Sequence, residues 1–263
     1  MTFHRVAMLA AISVLALVAG APEAQAVSTP ISSCGQTVTN NAALTQDLYC
    51  PGSDGVVIGA PNITIDLKGH TLRGNRGLSD YGIDNSAGFV GVTVKNGVVR
   101  NFGYGVIGSN SQDPSDIPND MTVSNILASG NQIIGIFIGG DHAVVKSSVA
   151  VGNNNVGVFI SGSFARIQST TTSGNDQGGV HVDGNGAKIQ SSTVSGNDGH
   201  GISVAGDAAV VTGNHAEGNG YAGTSTDSNG LGITVTNYTT PPTGKNTSRG
   251  NDDPAECNPT FLC

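Results

Sequence analysis

Carboxylate and imidazole side chains gather in one stretch of this 263-residue chain. Hydrolysis of a glycosidic bond needs two carboxyl groups facing that bond. Lyase chemistry needs a base and a cationic group that stabilises the developing anion. The candidate acid–base residues are Asp176, His181, Asp183, Asp198 and His200. Their types predict proton-transfer chemistry on a polysaccharide, if the chain is an enzyme.

Asp176 and Asp198 lie 22 residues apart, at the same position of two consecutive repeats. On neighbouring strands their backbones would be about 5 Å apart. Such a pair could be catalytic, could bind calcium, or could cap a corner of the backbone. Calcium is therefore expected only if the chain is a lyase, and no other cofactor is predicted.

One column of alternating positions is predicted to point outward, and it reads Phe137, Phe159, His181 and Ser203. Aligned aromatic rings could form a stacking strip for sugar rings, or they could pack on each other and be covered by a loop. His181 is the candidate general base because its imidazole titrates near neutrality in the middle of that strip.

Cations form a second outward group, in which Arg166 and Lys188 occupy equivalent repeat positions and Lys146 lies close by. They could receive the carboxylates of an acidic glycan, or they could be a solvated strand face whose like charges discourage edge pairing. The formal net charge of −8 gives no basic footprint for nucleic acid.

The elements that position these residues follow from a repeat of 22 residues. Three positions keep one residue type from repeat to repeat. They are Asn131, Asn153, Asn175, Asn197 and Asn219, then Gly135, Gly157, Gly179 and Gly201, and then Ala143, Ala165, Ala187 and Ala209. Each unit holds two short apolar alternations, which are typical of strands with one buried face. Short strands, tight glycine corners and a fixed period predict an all-β parallel solenoid with 22-residue coils. The asparagine column is expected to form a buried hydrogen-bond ladder rather than a catalytic site.

The Gly-Asn corner, the Gly-hydrophobic-x-hydrophobic strand and the 22-residue step resemble the single-stranded right-handed parallel β-helix, or pectin-lyase-like, superfamily. The segment from Cys34-Gly35 to His70-Thr71-Leu72 resembles the first coils of secreted bacterial members. The resemblance implies contact with carbohydrate but no single activity, because the superfamily contains lyases, hydrolases, epimerases and adhesins.

Gly199-His200-Gly201 resembles a polygalacturonase segment, but that family's Asn-Thr-Asp and Asp-Asp motifs are missing. The prediction is therefore a non-catalytic module that binds glycan or serves at a surface. The alternative is a polysaccharide lyase or glycoside hydrolase that acts on an acidic glycan.

Residues 1–26 are predicted to be a signal peptide, with an apolar run from Val6 to Ala19 and the cleavage site Ala24-Gln25-Ala26. Residues 27–263 are then the β-helix domain, with regular coils over about 55–240. The repeat spacing places insertions of 8 residues at Ser111–Pro118 and of 9 residues at Tyr221–Asn229. The mature chain is expected to be secreted, periplasmic or at the cell surface, without a membrane span.

Four cysteines, Cys34, Cys50, Cys257 and Cys263, lie near the two ends of the predicted domain. The sequence alone leaves three pairings open. The length of a solenoid favours Cys34 with Cys50 and Cys257 with Cys263, each pair stapling one end. Zinc is not predicted, since the sequence has no C-x-x-C motif.

Overall fold

The computed structural model describes residues 28–108, 120–220, 230–253 and 255–263. In these residues the chain winds into a right-handed parallel β-helix, and every strand pair among them is parallel. Three faces, named A, B and C, follow each other around a coil. The predicted signal peptide and both predicted insertions lie outside the described residues.

Face A is a ladder of ten strands that contributes one strand to each coil. Its apolar residues point inward at every second position, as the sequence pattern predicts. The strands are Gln36–Val38, Val56–Ile58, Tyr81–Asp84, Tyr104–Ile107, Ile136–Gly139, Val156–Ser161, Gly178–Asp183, Ile202–Ala205, Ile233–Thr236 and Cys257–Asn258.

Faces B and C form one continuous sheet, because two long strands bend from one face into the other. Those two strands are Thr93–Arg100 and Thr122–Ser129. Face B adds Thr29–Ile31, Ala42–Leu44, Thr64–Asp66, Val144–Lys146, Arg166–Gln168, Lys188–Gln190 and Val210–Thr212. Face C adds Leu48–Tyr49, Thr71–Arg73, Val149–Val151, Thr171–Ser173, Thr193–Ser195, His215–Glu217 and Thr247–Arg249. Parallel pairing thus runs from Thr29 to Asn258 and extends beyond the 55–240 interval at both ends.

The space between the faces is filled by small and branched apolar side chains. Ile136, Val158, Val180 and Ile202 are all 0–1% exposed, and so is the alanine column that begins at Ala143. A short 3-10 turn at Thr260–Leu262 closes the C-terminal end and buries Leu262. The prediction of an all-β solenoid with 22-residue coils is confirmed.

The asparagine column forms a buried ladder at the corner between faces C and A, as predicted. Asn131, Asn153, Asn175, Asn197 and Asn219 are each 0% exposed. Each Nδ2 donates to the Oδ1 of the next asparagine at 2.8–2.9 Å, and each backbone N–H donates to that same Oδ1. The ladder ends at Asn251, whose amide donates to Ser248 Oγ and to the Glu256 carboxylate.

A second polar ladder, which the sequence analysis missed, lies at the corner between faces B and C. The buried residues Ser148, Thr170, Ser192 and Asn214 follow the same 22-residue step. Ser192 Oγ accepts from Thr170 N–H at 3.2 Å, and Asn214 Oδ1 accepts from Ser192 N–H at 2.9 Å. Both inner corners therefore satisfy their backbone donors with side-chain oxygens.

The cysteines pair as the length of the solenoid favoured. Cys34 bonds Cys50 with their Cα atoms 5.5 Å apart, and Cys257 bonds Cys263 with Cα atoms 6.0 Å apart. Each bridge lies at one end of the helix. No helix of the described residues is long and apolar enough to cross a bilayer.

Candidate functional site

Aromatic rings form a continuous column on the outer side of face A. Consecutive ring centroids are 5.7 Å apart for Tyr81 and Tyr104, 6.1 Å for Tyr104 and Phe137, and 5.3 Å for Phe137 and Phe159. The imidazole of His181 follows Phe159 at 4.9 Å, edge to face. In this aromatic column, Tyr81 to His181, strand alternation sends the register partners Phe137, Phe159 and His181 outward between buried Ile and Val positions. Tyr104 stands three residues before Ile107, the register partner of Phe137, and it joins the column with its own partner Tyr81 through the ring contact with Phe137.

Phe137 does not have the exposure that the sequence analysis expected. It points away from the coil interior, but it is only 8% exposed, because it packs in a cluster with Ile107, Ile134 and the neighbouring rings. At this position the structure therefore agrees with the alternative in which the rings pack on each other. Phe159 and His181 are half-buried, so they present part of their ring surface to solvent.

Tyr81 and Tyr104 extend the column toward the N-terminal coils, and the sequence analysis missed both. They are register partners in face A, 23 residues apart. The repeated Tyr-Gly at Tyr81 and Tyr104 was the available signal. Partial burial, and then the Asp84 carboxylate, raise the pKa of the Tyr81 hydroxyl. The hydroxyl is thus a neutral hydrogen-bond donor at physiological pH.

His181 and Asp183 form a hydrogen-bonded pair beside the exposed part of the column. They are two residues apart on one strand, so both point outward, and His181 Nε2 lies 2.9 Å from Asp183 Oδ1. When Nε2 carries the proton, it donates to Asp183 and leaves Nδ1 as the basic nitrogen. The structure therefore brings these two predicted residues together with Phe159.

Asp176 and Asp198 lie on adjacent coils at the beginning of face A, not beside His181. Asp198 is five residues before Ser203, the register partner of His181, and it lies in the corner that precedes the strand Ile202–Ala205. Partial burial and the Asp176 carboxylate raise the pKa of Asp198. No described residue donates a hydrogen bond to either carboxylate, so the capping interpretation has no support in the described part of the chain.

His200 holds two coils together. Its Nδ1 accepts a hydrogen bond from the backbone N–H of Leu231 at 3.1 Å, across a 31-residue coil. That bond occupies the nitrogen that would act as a base, because a nitrogen that accepts a hydrogen bond carries no proton. His200 thus has a structural partner and lies at the Asp198 end of the face, apart from His181.

Arg166 and Lys188 are register partners on face B, around a corner from the aromatic column. Both are exposed, and among the described residues neither forms an ion pair. Lys146 lies on the same face, one coil earlier and two positions along the strand. The cations therefore share a face as predicted, but they do not join the His181–Asp183 pair.

The chemistry that these groups can perform follows from their grouping. The aromatic column offers ring surface, and His181, Asp183 and the tyrosine hydroxyls offer hydrogen bonds beside it. Within residues 28–108, 120–220, 230–253 and 255–263, no three His, Cys, Asp or Glu side chains are grouped as metal ligands. Carboxylates interact in two places: Asp198 neighbours Asp176, and Asp54 neighbours Asp84 and Asp80. Burial, and then the Asp84 and Asp80 carboxylates, raise the pKa of Asp54.

Comparison with known proteins bears on the fold. No curated protein sequence matches the chain. The A-module of Azotobacter vinelandii mannuronan C-5 epimerase AlgE6 is 14% identical with a TM-score of 0.44, over 86% of this chain and 81% of that chain. The A-module of AlgE4 from the same organism is 16% identical with a TM-score of 0.44, over 86% and 84%. Pectate lyase Pel9A is 13% identical with a TM-score of 0.34, over 85% and 68%.

A family model provides the assignment that those distant structures do not. Residues 105–252 match the model described as a right handed beta helix region. The matched segment of 252 − 105 + 1 = 148 residues is more than half of the 263-residue chain. Together with the parallel ladders and the buried asparagine corner, this shows that the chain belongs to the right-handed β-helix family.

Proposed function

We propose that this protein binds a linear polysaccharide along the aromatic column of face A without cutting it. The observation that supports the proposal is the unbroken ring column from Tyr81 to His181, with consecutive centroids 4.9–6.1 Å apart. Rings that contact each other edge-on or tilted in this way usually belong to a core or to a binding surface. Here they lie outside the coil interior.

The length of the column suits a polymer. It crosses five coils, so it extends over four inter-strand steps of about 4.8 Å, or about 19 Å. The C–H faces of sugar rings are apolar and would pack on the partly exposed rings of Phe159 and Tyr104. A column of this length would contact several consecutive units of the polymer.

Polar groups beside the column suit the hydroxyl groups of a sugar. The Tyr81 hydroxyl is a neutral donor, and Asp84 and Asp183 supply acceptors at two points along face A. His181 is both a ring of the column and a hydrogen-bonding group. This combination of ring surface with a few fixed polar groups is typical of ligand sites.

Binding is favoured over bond cleavage because the catalytic candidates are divided. Glycoside hydrolysis needs two carboxyl groups on one bond, about 5–9.5 Å apart. Asp183 and the Asp176–Asp198 pair lie at opposite ends of the face A strands, and His200 is engaged with Leu231. The cations Arg166 and Lys188 are on another face.

A polysaccharide lyase or hydrolase is the second candidate, and one observation favours it. Asp198 lies beside Asp176 on the adjacent coil, and its pKa is raised by partial burial and by that neighbour. A carboxyl whose pKa is raised beside a second carboxyl is the arrangement from which a general acid and its partner are built. Calcium bound between the two carboxylates would belong to this candidate.

Export from the cytoplasm is part of the proposal. The chain has two disulfides, and disulfides form and persist in oxidising compartments. A secreted, periplasmic or surface location would place the protein among extracellular polysaccharides.

The test is a binding and turnover screen of residues 27–263 against neutral and acidic polysaccharides, with and without calcium. Unsaturated products, new reducing ends and dissociation constants are measured together. Phe159→Ala and His181→Ala are compared with Lys146→Ala, which changes face B. We expect binding without product, weakened about threefold to tenfold by each face A variant, since aromatic contacts contribute about 0.5–1.5 kcal/mol.

Two results would contradict the proposal. Turnover that disappears in Asp198→Asn would support the enzyme. Binding that is lost in Lys146→Ala, while both face A variants bind like the wild type, would move the site to face B.

A further inference from the structure

An open cleft of about 400 Å³ lies on the opposite side of the molecule from the aromatic column, where faces B and C meet. Its walls come from four consecutive coils, which contribute Gly69, residues 96–98, residues 125–127, and Ser147 with Val149. The two long strands Thr93–Arg100 and Thr122–Ser129 bend at this point, with Asn96 and Asn125 at φ angles of 60° and 54°. The bend makes the outer surface concave over those coils.

One wall of the cleft is aliphatic, and its side chains are not part of the hydrophobic core. Val98, Leu127 and Val149 are register partners on face C, and all three point away from the interior. Val149 is 36% exposed and the other two are half-buried. Opposite them, Asn125 Nδ2 donates to Asn96 Oδ1 at 3.0 Å, which gives the other side an amide surface.

Arginines border the aliphatic wall. Arg73 and Arg100 are register partners two positions beyond Thr71 and Val98, so both point outward on face C about 6.6 Å further along their strands. The guanidinium of Arg73 lies over the ring of Tyr49, 5.1 Å from its centroid. Tyr49 and Arg100 are the register partners of Arg73 on the two neighbouring strands, so the three side chains form one outward column.

The two arginines carry uncompensated charge. Like charges directly opposite each other on neighbouring strands destabilise a sheet. In the described part of the chain neither Arg73 nor Arg100 forms an ion pair with a carboxylate. The pKa of Asp47 is lowered mainly by the hydrogen bond from Thr71 N–H and also by the Arg100 charge, but that carboxylate is already engaged by Thr71 N–H and His70.

We infer that this cleft binds an amphiphile with an apolar body and a phosphate or sulfate head group. The aliphatic wall and amide surface would take the apolar body, and Arg73 and Arg100 would take the head group. A tetrahedral oxyanion has three acceptor oxygens and up to two negative charges, so it can bridge two guanidinium groups. A carboxylate has two oxygens and pairs with one arginine in the same bidentate way.

This site is independent of the aromatic column, because it lies on other faces and uses no residue of that column. Lipid head groups and free organic phosphates share the chemistry. Lipids and organic phosphates with an apolar body both differ from inorganic phosphate, which has none. Binding to vesicles then tells a lipid surface from a soluble ligand.

The test measures binding of octyl phosphate, octyl glucoside and inorganic phosphate to the full chain by calorimetry, and of vesicles that contain an anionic phospholipid by flotation. We expect octyl phosphate to bind at least about tenfold more tightly than the other two soluble probes, which corresponds to about 1.4 kcal/mol. Arg100→Gln should remove that preference, and Leu127→Thr should weaken octyl phosphate while keeping a strand-compatible residue. Lys188→Gln on face B is the matched control and should bind like the wild type.

Equal binding of octyl phosphate and octyl glucoside would overturn the role of the arginines. Equal binding of octyl phosphate and inorganic phosphate would overturn the role of the cleft. Wild-type affinity in a folded Arg100→Gln variant would overturn the inference as a whole. Flotation with vesicles, lost in the same variant, would assign the head group to a lipid surface.

Discussion

The buried corner before face A and the outer column of face A are built by the same coils, but only the corner keeps one residue type. Six coils in succession, from Asn131 to Asn251, place an asparagine at the corner. The outer column changes from Phe137 and Phe159 to His181, Ser203 and Thr234. Both positions repeat with the coils, so the difference arises from what each position must do.

At the corner the backbone leaves the strand ladder, so its N–H groups lose their carbonyl acceptors on the next coil. The asparagine side-chain oxygen accepts those hydrogen bonds instead. Each side chain accepts two hydrogen bonds from the preceding coil and donates to the next. A residue without both donor and acceptor would leave buried groups unpaired. The outer column faces no such demand, and its residue types are therefore free to serve recognition.

Asn175→Ala should produce the largest effect in this comparison. It removes the acceptor of Asn153 N–H and of Asn153 Nδ2, and it removes the donor to Asn197. We expect the free energy of unfolding to fall by about 1–3 kcal/mol, the cost of unpaired buried polar groups. Urea denaturation measures this, with Asn154→Ala, an exposed neighbour, as the control. A variant as stable as the control would show that the ladder contributes nothing to stability.

Ser192→Ala should have a smaller effect at the second corner. Ser192 Oγ accepts from Thr170 N–H at 3.2 Å and donates to Gln190 O at 3.0 Å. The variant leaves one buried N–H unpaired rather than several, so we expect a loss of about 1 kcal/mol. The control variant is Ser191→Ala, because Ser191 is the exposed neighbour of Ser192. A loss as large as that of Asn175→Ala would contradict the ranking of the two corners.

His181→Ser should leave the fold intact, because serine occupies the same column position one coil later, at Ser203. The free energy of unfolding should change by less than about 0.5 kcal/mol, as is usual for surface substitutions. Polysaccharide binding should weaken in the same sample. A large loss of stability would mean that the column is structural like the corner.

Asp198→Asn should give the smallest effect, and it should raise the free energy of unfolding instead of lowering it. Partial burial and Asp176 raise the pKa of Asp198 in the folded protein. A carboxyl whose pKa is raised by folding destabilises the fold once it ionises, so the cost is present at neutral pH and absent below the unfolded pKa of about 3.9. Because solvent screens an exposed pair, we expect a gain of about 0.2–0.5 kcal/mol at pH 7 and none near pH 3. Unfolding curves at both pH values measure the difference, and a gain of equal size at both would contradict this explanation.

The fold was predictable from the sequence wherever a residue type repeats at a fixed step. Asn153 to Asn219 and the alanines from Ala143 specify both the coil length and the buried positions. The disulfide pairs followed from the distance between the ends of a solenoid. The second ladder was missed because serine, threonine and asparagine replace one another there, although all supply the same acceptor oxygen.

The site was less predictable, because it depends on coils of other lengths. Tyr81 and Tyr104 precede the regular coils and join the aromatic column through a 23-residue step. Phe137 is covered by Ile107, its partner from a coil 30 residues long. His200 bonds Leu231 across a 31-residue coil. A single period cannot show which side chains such coils bring into contact.

The asparagine ladder also has a direction. From Asn131 to Asn251 each Nδ2 donates toward the C-terminal end, so the amide dipoles align with their positive ends toward that end. Aligned peptide dipoles in an α-helix likewise sum to a partial positive charge at one terminus, which an anion stabilises. The Glu256 carboxylate accepts from the last amide and occupies this place. The row of asparagines is thus a polarised stack with an anionic cap, built from side chains instead of a helical backbone.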